Sequence, residues 1–321
     1  MKVLYITNAP SPYRVDLFEE LGKLCDLDVT FELLPSEIVH RDASWYHTDY
    51  KNFHVIQLKK TKICSRYICL DIVNVIKNNS YDIIVVGVYS TLTSILAMTY
   101  MKRHNIPFFI NSDGGFIKEN ESWLQSNIKS FLIGMGSYYL ATGRRTGEYL
   151  QYYGGYDKKY FTYSFSTYRQ SDLPTEYIRV QEKQQLRKEL GMSNKIVFLS
   201  VGQFIYRKGY DILLKACEGL QDLCDVYIVG AEATDEYLYM KDKLYLNNVY
   251  FIGFKQKREL IEYYKAVDVF VLPTREDIWG LVINEALTYG LPVITTDKCL
   301  AGVELIDDGQ NGFIVPAGSI D

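Results

Sequence analysis

Two carboxylates near the end of the chain, Asp277 and Glu285, stand eight positions apart on either side of the start of a helical pattern. An apolar, β-branched run precedes them and stops at Pro-Thr, as a buried parallel strand does where it leaves its sheet. The N–H groups of Gly280, Leu281 and Val282 at a helix start can hold an anion, and a diphosphate is the natural guest. Carboxylates beside such a site suit sugar hydroxyls, which donate hydrogen bonds that carboxylates accept. The stretch therefore predicts a site for a phosphorylated sugar.

This string of residues, continued by Tyr289-Gly290-Leu291-Pro292-Val293-Ile294, resembles the E-x7-E motif of retaining GT-B glycosyltransferases of family 4. The resemblance implies that Glu285 holds the ribose hydroxyls of a nucleotide sugar and that Asp277 binds the donor sugar. The family usually has Glu at the first position, so Asp277 is a departure with a shorter reach. Glu276 is one residue out of register and is the second choice for this role. The alternative is a helix start whose acids only complement the helix dipole.

A basic loop from Gly202 to Gly209 runs from a predicted strand end into a helix and resembles a second motif of the same family. In the family, an Arg after the first glycine and a Lys before the second neutralise the donor diphosphate. Lys208 matches that Lys, whereas Gln203 replaces the Arg, so Arg207 is the nearest candidate for the missing charge. Fixed cations stabilise a departing diphosphate without a metal, and we expect no metal or other cofactor. The alternative is a basic first turn on the surface.

Three further positions are candidates for ligand contact. Gly253 and Phe254 follow a predicted strand where the family contacts the nucleotide base largely through its backbone. Asp113, which precedes a Gly-Gly pair, is predicted either to point into the cleft or to form an ordinary Asp-Gly turn. Arg14 is predicted either to meet a phosphate or an acceptor, or to lie on a solvated first turn.

The elements that carry these residues alternate between apolar strands and helical patterns, which predicts an α/β protein with doubly wound parallel sheets. We expect two Rossmann-like domains facing across a cleft, the GT-B arrangement. The N-terminal, acceptor-side domain covers residues 1–165, a linker 166–180, and the C-terminal nucleotide-sugar domain 181–321. Helices are predicted at 66–77 and 178–190 and an irregular loop at 35–51. Members of the family continue through further helices, so the C-terminal domain is expected to be incomplete.

The composition sets broad limits on function. An apolar fraction of 48% allows well-filled cores, and a net charge of −4 gives no general affinity for nucleic acid. Six cysteines without C-x-x-C spacing indicate reduced, buried thiols in a cytosolic protein. A basic-then-apolar stretch at 59–70 could lie on the anionic inner face of a membrane, or form a surface turn before a core helix.

The sequence therefore predicts a retaining glycosyltransferase in surface polysaccharide or glycoconjugate synthesis. It would move a sugar from a nucleoside diphosphate to a hydroxyl acceptor, either a sugar or a lipid-linked sugar. The predicted catalytic residues are Asp277, Lys208, Arg207 and Asp113. Two alternatives remain: a sugar-nucleotide epimerase of similar architecture, and a non-catalytic protein that binds nucleotide sugars.

Overall fold

The computed structural model describes residues 1–33, 49–63, 66–118, 120–176 and 178–320. Most of the loop predicted at 35–51 lies outside these ranges. The chain divides into two compact units, Met1–Phe165 and Ser166–Asp321.

The N-terminal unit is a parallel sheet flanked by helices. Its strands are β1 (Lys2–Thr7), β2 (Asp26–Phe31), β3 (His54–Gln57), β4 (Lys60–Ile63), β5 (Arg66–Cys69), β6 (Ile83–Val86), β7 (Phe109–Ser112), β8 (Tyr138–Ala141) and β9 (Tyr160–Thr162). Its helices are α1 (Pro12–Gly22), α2 (Ile72–Asn78), α3 (Leu92–Arg103), α4 (Trp123–Gly134) and α5 (Arg144–Gly154). The main sheet has the order β3-β2-β1-β6-β7-β8-β9 with every pairing parallel, while β4 and β5 form a separate antiparallel hairpin.

Both faces of this sheet are buried, and alternate residues of β1 show why. Leu4 and Ile6 belong to one apolar cluster, and Val3 and Tyr5 to another. Side chains of a strand alternate between faces, so two cores require helices on both sides. The unit is therefore doubly wound, as the continuous apolar strands predicted.

The helix predicted at 66–77 is wrong in its first half. Arg66–Cys69 is a strand that pairs with Lys60–Ile63, and the helix begins at Ile72. The pairing is antiparallel, with Lys60 opposite Cys69 and Lys62 opposite Tyr67. The basic-then-apolar stretch thus forms a hairpin before it reaches a helix.

The C-terminal unit repeats the architecture. Its helices are α6 (Val180–Glu189), α7 (Tyr210–Ala216), α8 (Asp235–Lys243), α9 (Lys257–Ala266), α10 (Leu281–Thr288) and α11 (Leu300–Leu305). Its strands are β10 (Ile196–Val201), β11 (Cys224–Val229), β12 (Val249–Ile252), β13 (Val269–Leu272), β14 (Val293–Thr296) and β15 (Gly312–Val315). The sheet is parallel with the order β12-β11-β10-β13-β14-β15, so the winding direction reverses between β10 and β13. Ligands of open α/β sheets bind outside the carboxyl ends of the strands at such a switch point.

Candidate functional site

The two loops that leave β10 and β13 flank the switch point of the C-terminal sheet, and they pack directly on each other. Gly209 has a φ of 71°, and a Cβ there would lie 2.0 Å from the carbonyl oxygen of Pro273. Thr274 Oγ1 donates to the Arg207 carbonyl at 2.9 Å, and the Arg275 N–H donates to the same oxygen at 2.8 Å. A side chain at position 209 would force the loops apart, so the glycine is what brings the predicted cations beside the predicted acids.

Lys208 and Asp277 form an ion pair at this junction. The Lys208 Nζ lies 2.6 Å from Asp277 Oδ2, and the side chains are 12% and 13% exposed. Arg207 is 45% exposed, with its Nη1 3.5 Å from Asp277 Oδ1 and donating to the Glu276 carbonyl at 2.7 Å. The structure therefore brings together the two predicted cations, Lys208 and Arg207, and the two candidate acids, Asp277 and Glu276. The cation and the acid neutralise each other, which the sequence did not predict.

A second ion pair, between Arg275 and Asp211, stabilises the junction. It was not predicted from the sequence. Arg275 donates two hydrogen bonds to the Asp211 carboxylate, each of 2.7 Å, and one to the Tyr206 carbonyl at 2.7 Å. Its guanidinium also lies 3.9 Å from the centre of the Tyr206 ring. This two-pronged geometry is specific to arginine and holds the 3₁₀ turn Tyr206–Lys208 in place. In the sequence, this ion pair is indicated only by the position of Arg275 directly before the acids Glu276 and Asp277.

The start of α10 is shaped by a second special glycine. Gly280 has a φ of 91°, and a Cβ there would lie 2.6 Å from Cys299 Sγ. Leu281 is the first helical residue and Val282 the second. Their N–H groups belong to the first turn, which has no intrahelical acceptor. The predicted anion position therefore begins three residues after Asp277 in the same loop.

Glu285 lies in the second turn of α10 and has its own set of partners. Tyr264 donates to its Oε2 at 2.8 Å, and Thr167 donates to its Oε1 at 3.2 Å. Burial raises the pKa of Glu285, while these two hydrogen bonds oppose the rise. Neither partner was predicted from the sequence. Thr167 comes from the segment predicted as a linker, which here packs on the C-terminal unit.

The remaining donor-side candidates lie at strand ends of the same sheet. Gly202 directly follows β10, and a Cβ on the neighbouring Gly230 would lie 1.9 Å from its carbonyl oxygen. Gln203 is exposed. Gly253 follows β12, a Cβ built there would have no neighbour within 4 Å, and Phe254 is 62% exposed. The backbone of 253–254 is therefore accessible to a flat ligand, and Gln203 supplies no charge.

Arg14 and Asp113 meet inside the N-terminal unit. The Arg14 guanidinium forms an ion pair with Asp113 and donates to the Tyr5 hydroxyl at 2.7 Å and the Tyr163 hydroxyl at 3.5 Å. Asn111 accepts from Tyr5 at 2.5 Å and donates to Tyr163 at 3.0 Å. Arg14 is only 4% exposed, so the solvated first-turn interpretation is wrong. The Asp113 side chain is 28% exposed, against 5% for the Arg14 side chain.

Metal and membrane features were sought in the described ranges only. Within 1–33, 49–63, 66–118, 120–176 and 178–320, no three His, Cys, Asp or Glu side chains cluster so that they could hold a metal ion. Among the helices of those same ranges, none has the length and apolarity needed to cross a bilayer.

Comparison with known proteins relates the C-terminal part of the chain to glycosyl transferases. Residues 182–321 match the family described as glycosyl transferases group 1. An uncharacterized 41.2 kDa protein of the cps region of Klebsiella pneumoniae is 35% identical over 126 residues, which are 38% of this chain and 33% of that protein. The lipopolysaccharide glucosyltransferase WaaG of Escherichia coli is 32% identical over 124 residues, 37% of this chain and 32% of WaaG. The chain thus spans about a third of the length of these curated relatives.

Solved structures extend the likeness to both units. HepE of Anabaena in complex with UDP superposes with a TM-score of 0.73 at 18% identity, covering 100% of this chain and 87% of HepE. HepE in complex with UDP-glucose gives a TM-score of 0.69 at 17% identity, with 100% and 86% covered. At such identity the likeness concerns the fold, and the fold is GT-B, as the sequence predicted.

Proposed function

We propose that this chain is a retaining glycosyltransferase of family 4 that transfers a hexose from a nucleoside diphosphate to a hydroxyl acceptor. The observation that carries the proposal is the junction of Lys208 with Asp277 at the switch point of the C-terminal sheet. It is supported by the match of residues 182–321 to group 1 glycosyl transferases, since that stretch contains every donor-side candidate. HepE, which shares the fold, binds UDP and UDP-glucose, which favours a uridine diphosphate sugar as donor.

In the proposed site, the diphosphate lies between the first turn of α10 and the cations Lys208 and Arg207. Its arrival gives Lys208 a second, more highly charged anion to bind, which loosens the hold of that lysine on Asp277. The freed carboxylate then accepts hydrogen bonds from the sugar hydroxyls, and Glu285 accepts those of the ribose. Charge on the departing diphosphate grows in the transition state, where fixed cations are most effective.

The reaction proposed is a substitution on one face of the sugar. The bond between the anomeric carbon and the diphosphate oxygen breaks, and its electron pair leaves with the diphosphate. The acceptor oxygen bonds to the anomeric carbon from the same face, and the acceptor proton passes to the departing diphosphate oxygen. No protein nucleophile and no metal take part in this scheme. Asp113, held by Arg14, would orient the acceptor from the N-terminal unit.

The proposed setting is the synthesis of surface polysaccharide or glycoconjugate at the inner face of a membrane. Support comes from relatives: one protein lies in a cps region and WaaG is a lipopolysaccharide glucosyltransferase. We propose a sugar or lipid-linked sugar as acceptor, with peripheral contact to anionic lipid through the hairpin β4–β5 and the stretch 59–70. Flotation with anionic vesicles at low salt tests this contact, and protein that stays at the bottom of the gradient argues against it.

A two-stage experiment tests the activity. A thermal-shift panel of uridine and guanosine diphosphates and their sugars first identifies the base, since a ligand that binds only the folded state raises the melting temperature. Labelled donor is then incubated with sugar and lipid-linked acceptors, with and without a chelator. Free nucleoside diphosphate and a new glycoside in equal amounts, insensitive to the chelator, are expected. An altered donor without transfer indicates an epimerase, and binding without turnover indicates a non-catalytic protein.

A further inference from the structure

The Glu285 carboxylate is held at both oxygens by residues from outside its own helix. Tyr264 in α9 donates to Oε2 at 2.8 Å, and Thr167 donates to Oε1 at 3.2 Å. Tyr264 is 0% exposed, and its ring is stacked on Tyr289 with centroids 5.7 Å apart and planes 8° apart. Burial and stacking leave the Tyr264 ring a single position, so its hydroxyl fixes one oxygen of Glu285 rigidly.

Thr167 is held far less firmly than Tyr264. It is the second residue of the C-terminal unit, and Ser166 before it is exposed. Lys257, with a side chain 54% exposed, secures the segment through the Thr167 carbonyl at 3.5 Å, Asp172 at 3.2 Å and the Tyr168 ring at 4.4 Å. The Tyr168 ring also packs edge-on against Tyr289, with centroids 6.0 Å apart. Exposed contacts such as those of Lys257 contribute little stability, so Thr167 is more readily displaced from Glu285 than the buried Tyr264.

We propose that Tyr264 is a positioning residue for the donor, and that a ribose hydroxyl replaces Thr167 on Glu285 Oε1 when the donor binds. The proposal rests on the donor role of Glu285 proposed above. A carboxylate fixed through Oε2 presents Oε1 in one orientation, and pre-organisation of this kind lowers the cost of binding. Thr167 fills the same position in the free protein, where it satisfies the oxygen and competes with the ribose.

The proton balance of the site is consistent with these roles. Burial raises the pKa of Tyr264 well above its ordinary value, so the hydroxyl keeps its proton and donates. Burial raises the pKa of Glu285, and the Tyr264 and Thr167 hydrogen bonds and the Lys257 charge oppose the rise. The titratable groups that interact with Glu285 are Tyr264 and Lys257 of α9, Tyr168 of the connecting segment, and Tyr289 after α10. Asp172 pairs with Lys257 at 3.2 Å. Loss of the Tyr264 hydroxyl therefore raises the pKa of Glu285 further.

Calorimetric titration of UDP into four proteins tests the proposal: the parent, Tyr264→Phe, Thr167→Val and Tyr289→Phe. Y289F is the matched control, because it deletes a tyrosine hydroxyl in the same stack, whereas the hydrogen bonds to Glu285 come from Tyr264 and Thr167. Y264F should bind UDP about two- to tenfold more weakly, because the ligand must then order the Glu285 side chain, at a cost of about 0.5–1.5 kcal/mol. T167V should bind UDP about threefold more tightly, and Y289F should match the parent. The acidic limb of UDP affinity should lie at higher pH in Y264F than in Y289F.

The outcomes separate this proposal from the function on which it rests. A parent that binds no nucleoside diphosphate, or a folded Glu285→Ala variant that binds like the parent, overturns the donor site and this proposal with it. If E285A binds more weakly while Y264F equals Y289F in affinity and pH profile, the positioning role alone is wrong. If T167V binds UDP more weakly than the parent, Thr167 is not displaced by the donor.

Discussion

Lys208 Nζ lies 2.6 Å from Asp277 Oδ2, so the cation predicted to meet the diphosphate and the acid predicted to meet the sugar are bonded to each other. Both side chains are largely shielded from water, at 12% and 13% exposure, which strengthens their attraction. A donor bound as proposed must therefore exchange partners with an existing ion pair. Because the two side chains neutralise each other, replacing Lys208 leaves Asp277 without its counter-charge, and replacing Asp277 leaves Lys208 without its own. A substitution meant to affect the diphosphate therefore also affects the sugar, and the reverse.

Replacing Lys208 with Ala should lower kcat by roughly a hundredfold, because one fixed cation that meets growing charge is removed. The affinity for the donor should fall less than kcat if the contact strengthens in the transition state. Initial rates at saturating donor measure the effect. Lys215→Ala, on the exposed side of α7, is the matched control and should keep the parental rate. Equal kcat in K208A and K215A contradicts the assignment.

Replacing Asp277 with Ala should separate the two parts of the donor. UDP alone should bind at least as tightly as to the parent, because Lys208 loses the carboxylate that neutralises it. The extra affinity that the sugar adds should disappear, because its hydroxyls lose their acceptor. Calorimetry with UDP and with a UDP-sugar measures both quantities.

The comparison variant for Asp277 is Glu276→Ala, which tests the second-choice acid. Glu276 offers its main-chain carbonyl to Arg207 at 2.7 Å, a contact that the Ala variant keeps. E276A should therefore retain selection for the sugar. Loss of sugar affinity in E276A but not in D277A would reverse the two roles.

Replacing Glu285 with Gln should stabilise the free protein while weakening donor binding. Burial raises the folded-state pKa of Glu285 above its unfolded value, so stability falls as the pH rises from the unfolded pKa, and the full cost is present above the folded pKa. Gln removes this cost at neutral pH, and the gain should fade as acid protonates Glu285 in the parent. Melting temperatures of E285Q and parent across the acid-to-neutral range measure it, at about 2–4 °C for each kcal/mol. If the melting temperature of E285Q exceeds that of the parent by more at acid pH than at neutral pH, the pKa of Glu285 is not raised by folding.

The sequence predicted the βα order and the proximity of the loops that carry the candidate site, because strand ends, glycines and charged residues there are local in the chain. It could not predict contacts that only the folded units create. Thr167 reaches Glu285 from 118 positions away, and Arg14 meets Asp113 across 99. The strand at Arg66–Cys69 was missed because short apolar runs fit a helix or a strand equally well.

Replacing Arg14 with Ala should destabilise the N-terminal unit strongly. The change leaves the Asp113 carboxylate without its cationic partner, which costs about 3–5 kcal/mol in fully buried pairs. Because the Asp113 side chain is 28% exposed, we expect the lower end of that range. The melting temperature should fall by roughly 10 °C. Arg144→Ala is the control, since Arg144 is 66% exposed and pairs with Glu148 at 3.4 Å on the surface, where such a contact contributes about 0–1 kcal/mol. Equal melting temperatures for R14A and R144A would show that the buried pair is not stabilising.

The double variant Arg14→Met with Asp113→Leu separates the structural role of the pair from an acceptor role of Asp113. Apolar replacement of both partners removes the unpaired charge, so most of the stability lost in R14A should return. If Asp113 orients the acceptor, the double variant should still bind UDP through its C-terminal unit but transfer sugar slowly, with a raised KM for the acceptor. If the double variant is stable and transfers sugar at the parental rate, the Arg14–Asp113 pair contributes to folding and has no role in acceptor binding.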